Sequence, residues 1–244
     1  MTAAAAPAIR TAMVLAAGLG TRMRPLTDHR PKALVEVAGK PLIDHVLDRL
    51  AEAGVERAVV NVHHFADQVE AHLAKRRDLE ILISDERAAL LDSGGGIQHA
   101  RPLLGEAPIL LANIDSLWLE DGQPALETLK AAWDAGRMDL VLLLVQRGHG
   151  LGFEGPQGFF MDADGRLTHS TSPDVVTPFA NVGFGIMTPR ALDGPPTGAF
   201  SIYPTWRRLQ SEGRLYGAAM NAFWMHVGDP AARDAAEARL KELT

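Results

Sequence analysis

The 244-residue chain contains no cysteine, which excludes disulfides, thiolate nucleophiles and cysteine-built zinc sites and suits a reducing compartment. The cytoplasm is the expected location. A basic excess is missing as well: 24 Lys and Arg against 30 Asp and Glu leave a formal net charge of −6, the wrong sign for a protein that covers a nucleic-acid backbone. No nucleic-acid partner is expected. No stretch reaches the roughly 18 apolar residues that a membrane-spanning helix requires, so no membrane partner is expected either. Residues 1–8 are small and apolar yet lack the basic start and long apolar stretch of a secretory signal, and they read as a disordered leader.

Hydrophobic residues make up 47% of the chain, enough for a full core. Residues 11–17 form a short apolar run that stops at Gly18-Leu19-Gly20, the pattern of a buried parallel strand ending in a glycine turn. Residues 41–53 place Leu42, Val46, Leu50 and Ala53 on one helical face, with Gly54 as the stop. Strands are expected over 55–62, 79–84, 108–112 and 138–146, and helices over 65–76 and 96–104. This alternation predicts an α/β fold, a mostly parallel Rossmann-like sheet sandwiched by helices, with ligands outside the carboxyl ends of its strands. Beyond residue 146 the texture changes to Gly- and Pro-rich hairpin segments (159–161, the turn Asp164-Gly165, Phe179–Met187), which read as a small antiparallel sheet covering a second ligand. Helices over 201–213 and 230–243 close the chain. No repeat, linker or charge block interrupts it, so residues 1–244 read as a single domain. Within it, 11–137 mainly serve one ligand, 138–229 mainly the second, and 230–244 form a closing helix.

The segment Leu15-Ala-Ala-Gly-Leu-Gly-Thr-Arg-Met-Arg-Pro-Leu-Thr27, followed by Arg30-Pro-Lys32, carries the most chemistry. Glycines after a strand let backbone N–H groups approach phosphate oxygens without a Cβ clash, and Arg22 and Lys32 can neutralise the remaining charge. A polyphosphate site is the consequence. The spacing is neither G-x-x-x-x-G-K-[ST] nor G-x-G-x-x-G, so a Walker loop and a dinucleotide fingerprint are both set aside. The string resembles the signature L-A-A-G-x-G-T-R-x-x-P-L-T with a downstream P-K of the sugar-phosphate nucleotidyltransferases. That resemblance implies transfer of a nucleoside monophosphate from an NTP to a sugar 1-phosphate with release of pyrophosphate. It also implies that Ala16, Ala17 and Gly18 meet the base and ribose, that Leu15, Gly20 and Thr21 belong to the nucleotide site, that Arg22 grips the outer phosphates, and that Lys32 holds the α-phosphate. Leu91-Asp-Ser-Gly-Gly-Gly-Ile97 resembles the family's L-E-T-G-G-G-I, which implies that Gly94 and Gly95 pass close to the base and that Asp92, in place of Glu, sits near the sugar. In isolation three glycines would read as a flexible surface loop.

Leu110-Leu-Ala-Asn-Ile-Asp115 is an apolar strand delivering Asn113 and Asp115 at its carboxyl end, where an open α/β sheet places its chemistry. A carboxylate there suits Mg2+. The segment is similar to the family's N-x-D, implying a metal ligand at Asp115 and a sugar-phosphate contact at Asn113. The family's second metal acid lies in W-x-D-V-G-T, and this chain has Trp224-Met-His-Val-Gly-Asp-Pro230 instead. Three readings stand side by side: His226 is a direct ligand that favours Mn2+, or Asp229 compensates beside a Mg2+ held by Asp115, phosphate and water, or His226 is a loop histidine. The resemblance implies that the Asn61-x-His region, with His63 and His64, borders the nucleotide pocket, and alternation along an extended chain lets one histidine at most face it. The other histidines lack ligand spacing and read as solvated.

Phe179-Ala-Asn-Val-Gly-Phe-Gly185 alternates as a strand does and is similar to the family's sugar-facing strand, which implies that Asn181 binds the acceptor. Gly158-Phe-Phe160 stands where short sugar uridylyltransferases have Gly-Asp-Phe, and Ser170-Thr-Ser-Pro-Asp174 lacks the family's E-K-P lysine, so the acceptor phosphate relies either on another basic group, with Arg147 a candidate, or on the metal. Nearly the whole chain resembles the short bacterial members that act with UTP on N-acetylmuramate 1-phosphate in cell-wall recycling. A mannose-1-phosphate guanylyltransferase using GTP is the alternative within the family, and a non-catalytic nucleotide or nucleotide-sugar sensor the alternative outside it.

Overall fold

A computed structural model describes residues 8–242 apart from 157 and 195. The leader expected over residues 1–8 lies, but for Ala8, outside the described residues. The first half runs β1 (Thr11–Leu15), a hairpin of β2 (Glu36–Val37) and β3 (Lys40–Pro41), α1 (Leu42–Glu52), β4 (Arg57–Val62), α2 (Ala66–Leu73), β5 (Glu80–Asp85), α3 (Asp92–Leu104) and β6 (Ile109–Asn113). The second runs β7 (Ser116–Glu120), α4 (Ala125–Ala132), β8 (Leu140–Gln146), β9 (Gly150–Leu151), β10 (Gly158–Met161), β11 (Leu167–Ser170), β12 (Phe179–Met187), α5 (Tyr203–Ser211), β13 (Leu215–Ala219), β14 (Ala222–His226) and α6 (Pro230–Lys241).

Nine of these strands form one sheet in the order β11-β10-β12-β6-β1-β4-β5, with β8 also on β12 and β13 on β8. The β6-β1-β4-β5 portion is parallel, as expected. Its strands read as unbroken apolar runs because both faces are covered. In β1, Ala12 and Val14 pack with α1, α2 and α4 on one face, while Met13 packs with α3 and α5 on the other. Each fully buried Val, Leu or Met side chain contributes about 1.5–3 kcal/mol, so the sheet that carries the loop ends is the most stabilised part of the molecule. Helix α1 shows how the sequence sets this up: Leu42, Ile43, Val46, Leu47 and Leu50 are buried at helical spacing, and Gly54, at φ 80°, closes the helix end.

The small antiparallel sheet is present, although built differently from the expectation. Residues 159–187 extend the edge of the main sheet, β12 pairing antiparallel with both β6 and β8 and β10 with β12 and β11. A separate three-stranded sheet, β7-β14-β9, stands beside the carboxyl end of β6. Strands β7, β13 and β14 and helix α4 were not among the expected elements. No helix among the described residues is long and apolar enough to cross a membrane.

Candidate active site

The loop after β1 folds back on Thr27 and Lys32. A Cβ on Gly20, which has φ 65°, would stand 3.0 Å from the Thr27 side chain and 3.1 Å from that of Lys32, and the Thr27 hydroxyl donates to the Gly20 carbonyl at 2.8 Å. Glycine is therefore required there on two counts, conformation and space. Asn61, at the end of β4, accepts from the N–H groups of Ala16 (2.7 Å) and Ala17 (3.3 Å) and donates to Glu86 at 2.7 Å. Those two amides are already satisfied. The N–H groups of Gly18, Leu19 and Gly20 have no partner among the described residues and remain for an anion.

These residues line a cavity of about 450 Å³ whose wall includes Leu15, Ala17, Gly18, Gly20, Thr21, Arg22, Lys32, Asn61 and Glu86. Ala16 lies behind that wall. Asp92 belongs to it, with φ 59° at the head of α3. Gly94 and Gly95 do not, and they form the buried first turns of α3 rather than a loop. A Cβ on Gly94 would stand 2.4 Å from the Phe200 ring, and one on Gly95 2.2 Å from the Gly198 carbonyl. Their glycine character is explained by packing against 198–201. Gly96 is the one that serves the cavity, since a Cβ there would press on Glu86 (2.7 Å) and Asn61 (2.9 Å). Glu86 is 2% exposed and had no motif to reveal it. His63 bonds the Glu86 carbonyl at 2.7 Å, His64 lies tilted against Phe65, and neither lines this cavity.

A second cavity, of about 340 Å³, adjoins the first through the shared wall residues Leu15, Arg22, Ser93, Asn113 and Asp115. No hydrogen bond or ion pair among the described residues engages Arg22, so its guanidinium is open to both spaces. At the junction the Lys32 ammonium donates to Asp115 Oδ2 at 2.7 Å, and His226 Nε2 stands 3.5 Å from the same oxygen. Strand β14 delivers His226 by pairing with β7, and the Val227 N–H bonds the Asp115 carbonyl at 2.8 Å. Burial alone would raise the Asp115 pKa, but the His226 contact and the Lys32 charge outweigh it and hold the carboxylate ionised, well below its usual range. Burial also works against the His226 imidazolium; the hydrogen bond and charge of Asp115 prevail and move its pKa upward.

The His226 ring is held from behind by its Nδ1, 3.0 Å from the Gly152 carbonyl. A carbonyl only accepts, so Nδ1 carries a proton and Nε2 faces Asp115 either as a second N–H or as a lone pair. A lone pair aimed at a carboxylate is repulsive unless a cation stands between them, and an outer carbonyl on a histidine is the usual support for a metal-binding ring. No group of three or more His, Cys, Asp or Glu side chains is gathered among the described residues. One carboxylate and one imidazole nevertheless fit a divalent cation whose other positions are filled by phosphate oxygens and water. Asp229 is placed elsewhere: its carboxylate caps α6 by accepting from Ala232 N–H at 2.8 Å, and it lines neither cavity. The Asp-Pro start of that helix explains it.

The remaining walls of the second cavity are apolar and aromatic: Phe153, Phe159, Tyr203, Trp206 and Trp224, with Asn181 and His169 among them. Asn181 accepts from the Gly183 N–H at 2.9 Å, and its amide NH2 has no partner among the described residues. His169, expected to be solvated, is instead a wall residue. Arg147 is outside the wall; its guanidinium donates to the carbonyls of Gly155, Pro156 and Thr177 and lies over Phe153, bracing that loop. No local signal joins His169 to Tyr203 or Trp206, because only strand pairing and the seating of α5 bring them together.

Residues 12–200 match the family model of the MobA-like NTP transferase domain. Over 237 residues, 96% of this chain and 98% of the relative, the sequence is 54% identical to an N-acetylmuramate alpha-1-phosphate uridylyltransferase of Caulobacter vibrioides. It is 35% identical over 221 residues, 89% of this chain and 92% of the relative, to the protein of that name from Neisseria meningitidis serogroup B. The inositol-1-phosphate CTP transferase of T. maritima superposes with a TM-score of 0.78 over 97% of this chain and 98% of that one, at 20% identity, which shows a shared fold. The family resemblance read from the glycine loop is thereby borne out, and the chain belongs to the MobA-like NTP transferase domain family.

Proposed function

We propose that the chain transfers UMP from UTP to N-acetylmuramate 1-phosphate, forming UDP-N-acetylmuramate and pyrophosphate. The observation that carries this reading is the pair of cavities meeting at one wall of Arg22, Asn113 and Asp115. Two substrates placed on either side of that wall face each other. The larger cavity is lined by residues 15–115 and Gly228, and it takes the NTP; the aromatic one takes the sugar. The division into a donor part (11–137), an acceptor part (138–229) and a closing helix follows from that assignment.

An oxygen of the acceptor phosphate attacks the α-phosphorus in line, a new P–O bond forms, and the bond to the β-phosphate breaks with its electron pair going to pyrophosphate. The phosphate monoester is already anionic near neutral pH, so no general base is needed. The rate comes from positioning and from charge neutralisation. The free amides of Gly18, Leu19 and Gly20 and the Arg22 guanidinium receive the donor phosphates. Lys32 leaves Asp115 for the α-phosphate. Asp115 and His226 would hold a divalent cation, Mg2+ or Mn2+, which when bound screens the charge that gathers between donor and acceptor phosphates. Asp92 and the Asn181 amide would meet the sugars. A cytoplasmic setting supplies the NTP.

Pyrophosphate release from UTP, GTP, CTP and dTTP, each paired with N-acetylmuramate, N-acetylglucosamine and mannose 1-phosphates, tests the proposal. Highest kcat/KM for UTP with N-acetylmuramate 1-phosphate supports it. Dominance of GTP with mannose 1-phosphate would replace it with the guanylyltransferase reading, and binding without turnover for every pair would replace it with a sensor.

A further inference from the structure

The aromatic cavity has basic groups in its wall at two separated places. Arg22 and His226 stand beside Asp115, at the junction with the donor cavity; the remaining basic residue is His169. Asp115 follows β6 and His169 lies on β11; β6 and β10 lie along the same side of β12, with β8 on its other side, and β11 is one strand beyond β10. One strand spacing across the sheet, and part of the length of β12 along it, separate the two. Asp115 is the only carboxylate in the described wall. The His169 end therefore presents no negative charge.

The His169 ring is held by its faces and left free at its edge. It stacks on Tyr203 at 5.3 Å with an interplanar angle of 13°, meets Trp206 edge-on at 5.6 Å, and lies 4.9 Å from Phe159, its partner in the β10–β11 pairing. Neither ring nitrogen has a hydrogen-bond partner among the described residues. Burial and the neighbouring Arg207 charge lower its pKa, so the ring is neutral in the free protein. Arg207, exposed on α5, also has no hydrogen bond or ion pair among the described residues. A polar edge in an apolar box, with an unengaged guanidinium close enough for its charge to be felt there, is arranged to receive an anion.

We propose that His169, seated on Tyr203 with Arg207 nearby, reads a carboxylate on the acceptor sugar and so selects an acid-substituted amino sugar 1-phosphate over its unsubstituted counterpart. This rests on the assignment of the aromatic cavity to the acceptor. N-acetylmuramate differs from N-acetylglucosamine by a lactyl ether whose carboxylate is ionised at neutral pH. The phosphate of such a molecule occupies the cations beside Asp115, and its second anion needs a partner of its own elsewhere in the wall. His169 supplies it by taking up a proton and donating a charge-assisted hydrogen bond, with Tyr203 fixing the ring plane.

The test is the ratio of kcat/KM for N-acetylmuramate 1-phosphate to that for N-acetylglucosamine 1-phosphate, with UTP, in the full chain and in His169→Gln and Arg207→Gln. The ratio is expected to fall about 10–100-fold in His169→Gln, mainly through KM of the acid-bearing acceptor, and by less in Arg207→Gln. The exposed Arg207 position keeps the test standing if the histidine variant folds poorly. An unchanged ratio in the folded variants, or equal losses on both acceptors, overturns the proposal. If the unaltered chain turns over neither acceptor, the activity assignment fails separately, and NMR of the His169 ring then decides the subsite. Ring signals that shift with N-acetylmuramate and not with N-acetylglucosamine sustain it; no shift, or equal shifts, refutes it.

Discussion

Replacing Lys32 by methionine separates the two partners that Asp115 serves. The ion pair is 2.7 Å long, with side chains 11% and 20% exposed, and at an effective dielectric of about 20 its attraction is about 6 kcal/mol before desolvation. Desolvation offsets much of that, and His226 remains beside the carboxylate when Lys32 is gone. A net loss of about 2–3 kcal/mol is expected, below the usual cost of breaking a fully buried pair. For a chain of this length that lowers Tm by about 5–10 °C. Loss of the charge on the α-phosphate lowers kcat/KM by about 10–100-fold. The decisive measurement is thermal unfolding of wild type and variant against Mg2+ and Mn2+. In wild type a cation at Asp115 must displace the ammonium, whereas in Lys32→Met it restores a missing charge, worth about 2.7 kcal/mol at 100 times its Kd. The variant should therefore gain more Tm from metal than wild type does, and the double variant with Asp115→Asn should gain nothing. Equal metal shifts in wild type and Lys32→Met would refute the placement of the cation at Asp115.

His226→Asp exchanges an imidazole for a hard oxygen donor, so the ratio of Mn2+- to Mg2+-supported turnover should drop; a ratio unchanged in both His226→Asp and His226→Ala would remove the ring from the metal's surroundings. Asp139 is ordinarily expected at 3.8 and lies at about 2 here: burial pushes its pKa up, but hydrogen bonds from Arg214, Arg190 and Thr188 outweigh it. A depressed folded pKa means the stabilisation, about 2 kcal/mol, is fully present above pH 4 and fades as pH falls toward 2; acid unfolding of Asp139→Asn should lack that limb, and an identical acid profile would contradict it. Gly95→Ala drives a Cβ to 2.2 Å from the Gly198 carbonyl and should cost about 1–3 kcal/mol in urea unfolding; unchanged stability would show that the 198–201 segment yields freely.

The parallel half of the fold was legible because burial on both faces turns strands into unbroken apolar runs, and helices such as α1 carry one apolar stripe. The missed elements lack such marks. Strand β7 follows β6 with two residues between, so the apolar stretch from Ile109 onward hides a turn at the active-site Asp115. Strand β14 was legible as a motif and not as a strand, because its pairing partner β7 lies more than 100 residues earlier. Helix α3 starts at Asp92, four residues before the expected 96–104: glycine costs helix propensity, and here close packing against Phe200 and Gly198 outweighs that cost.

The same distinction between local and distant causes accounts for which parts of the site could be read. The cavity proposed for the donor is lined by residues from 15–22, Lys32, Asn61, 86–93, 113–115 and Gly228, and the glycines and cations of 15–32 have to stand at fixed spacing around a polyphosphate. Such constraints leave a motif. The cavity proposed for the acceptor draws its wall from β1, α3, β6, β8, β10, β11, β12, α5 and β14, most of them donating one or two side chains through strand register or helix seating, so changing the sugar requires single substitutions that disturb no spacing. His169 is the clearest case: its neighbours come from two other elements, Phe159 from β10 and Tyr203 and Trp206 from α5, and no motif around it announces a ligand. Acceptor choice can then change between relatives while the phosphate loop stays constant, and the residues that decide it have to be sought along the β10–β11 edge and on the face of α5 turned toward it.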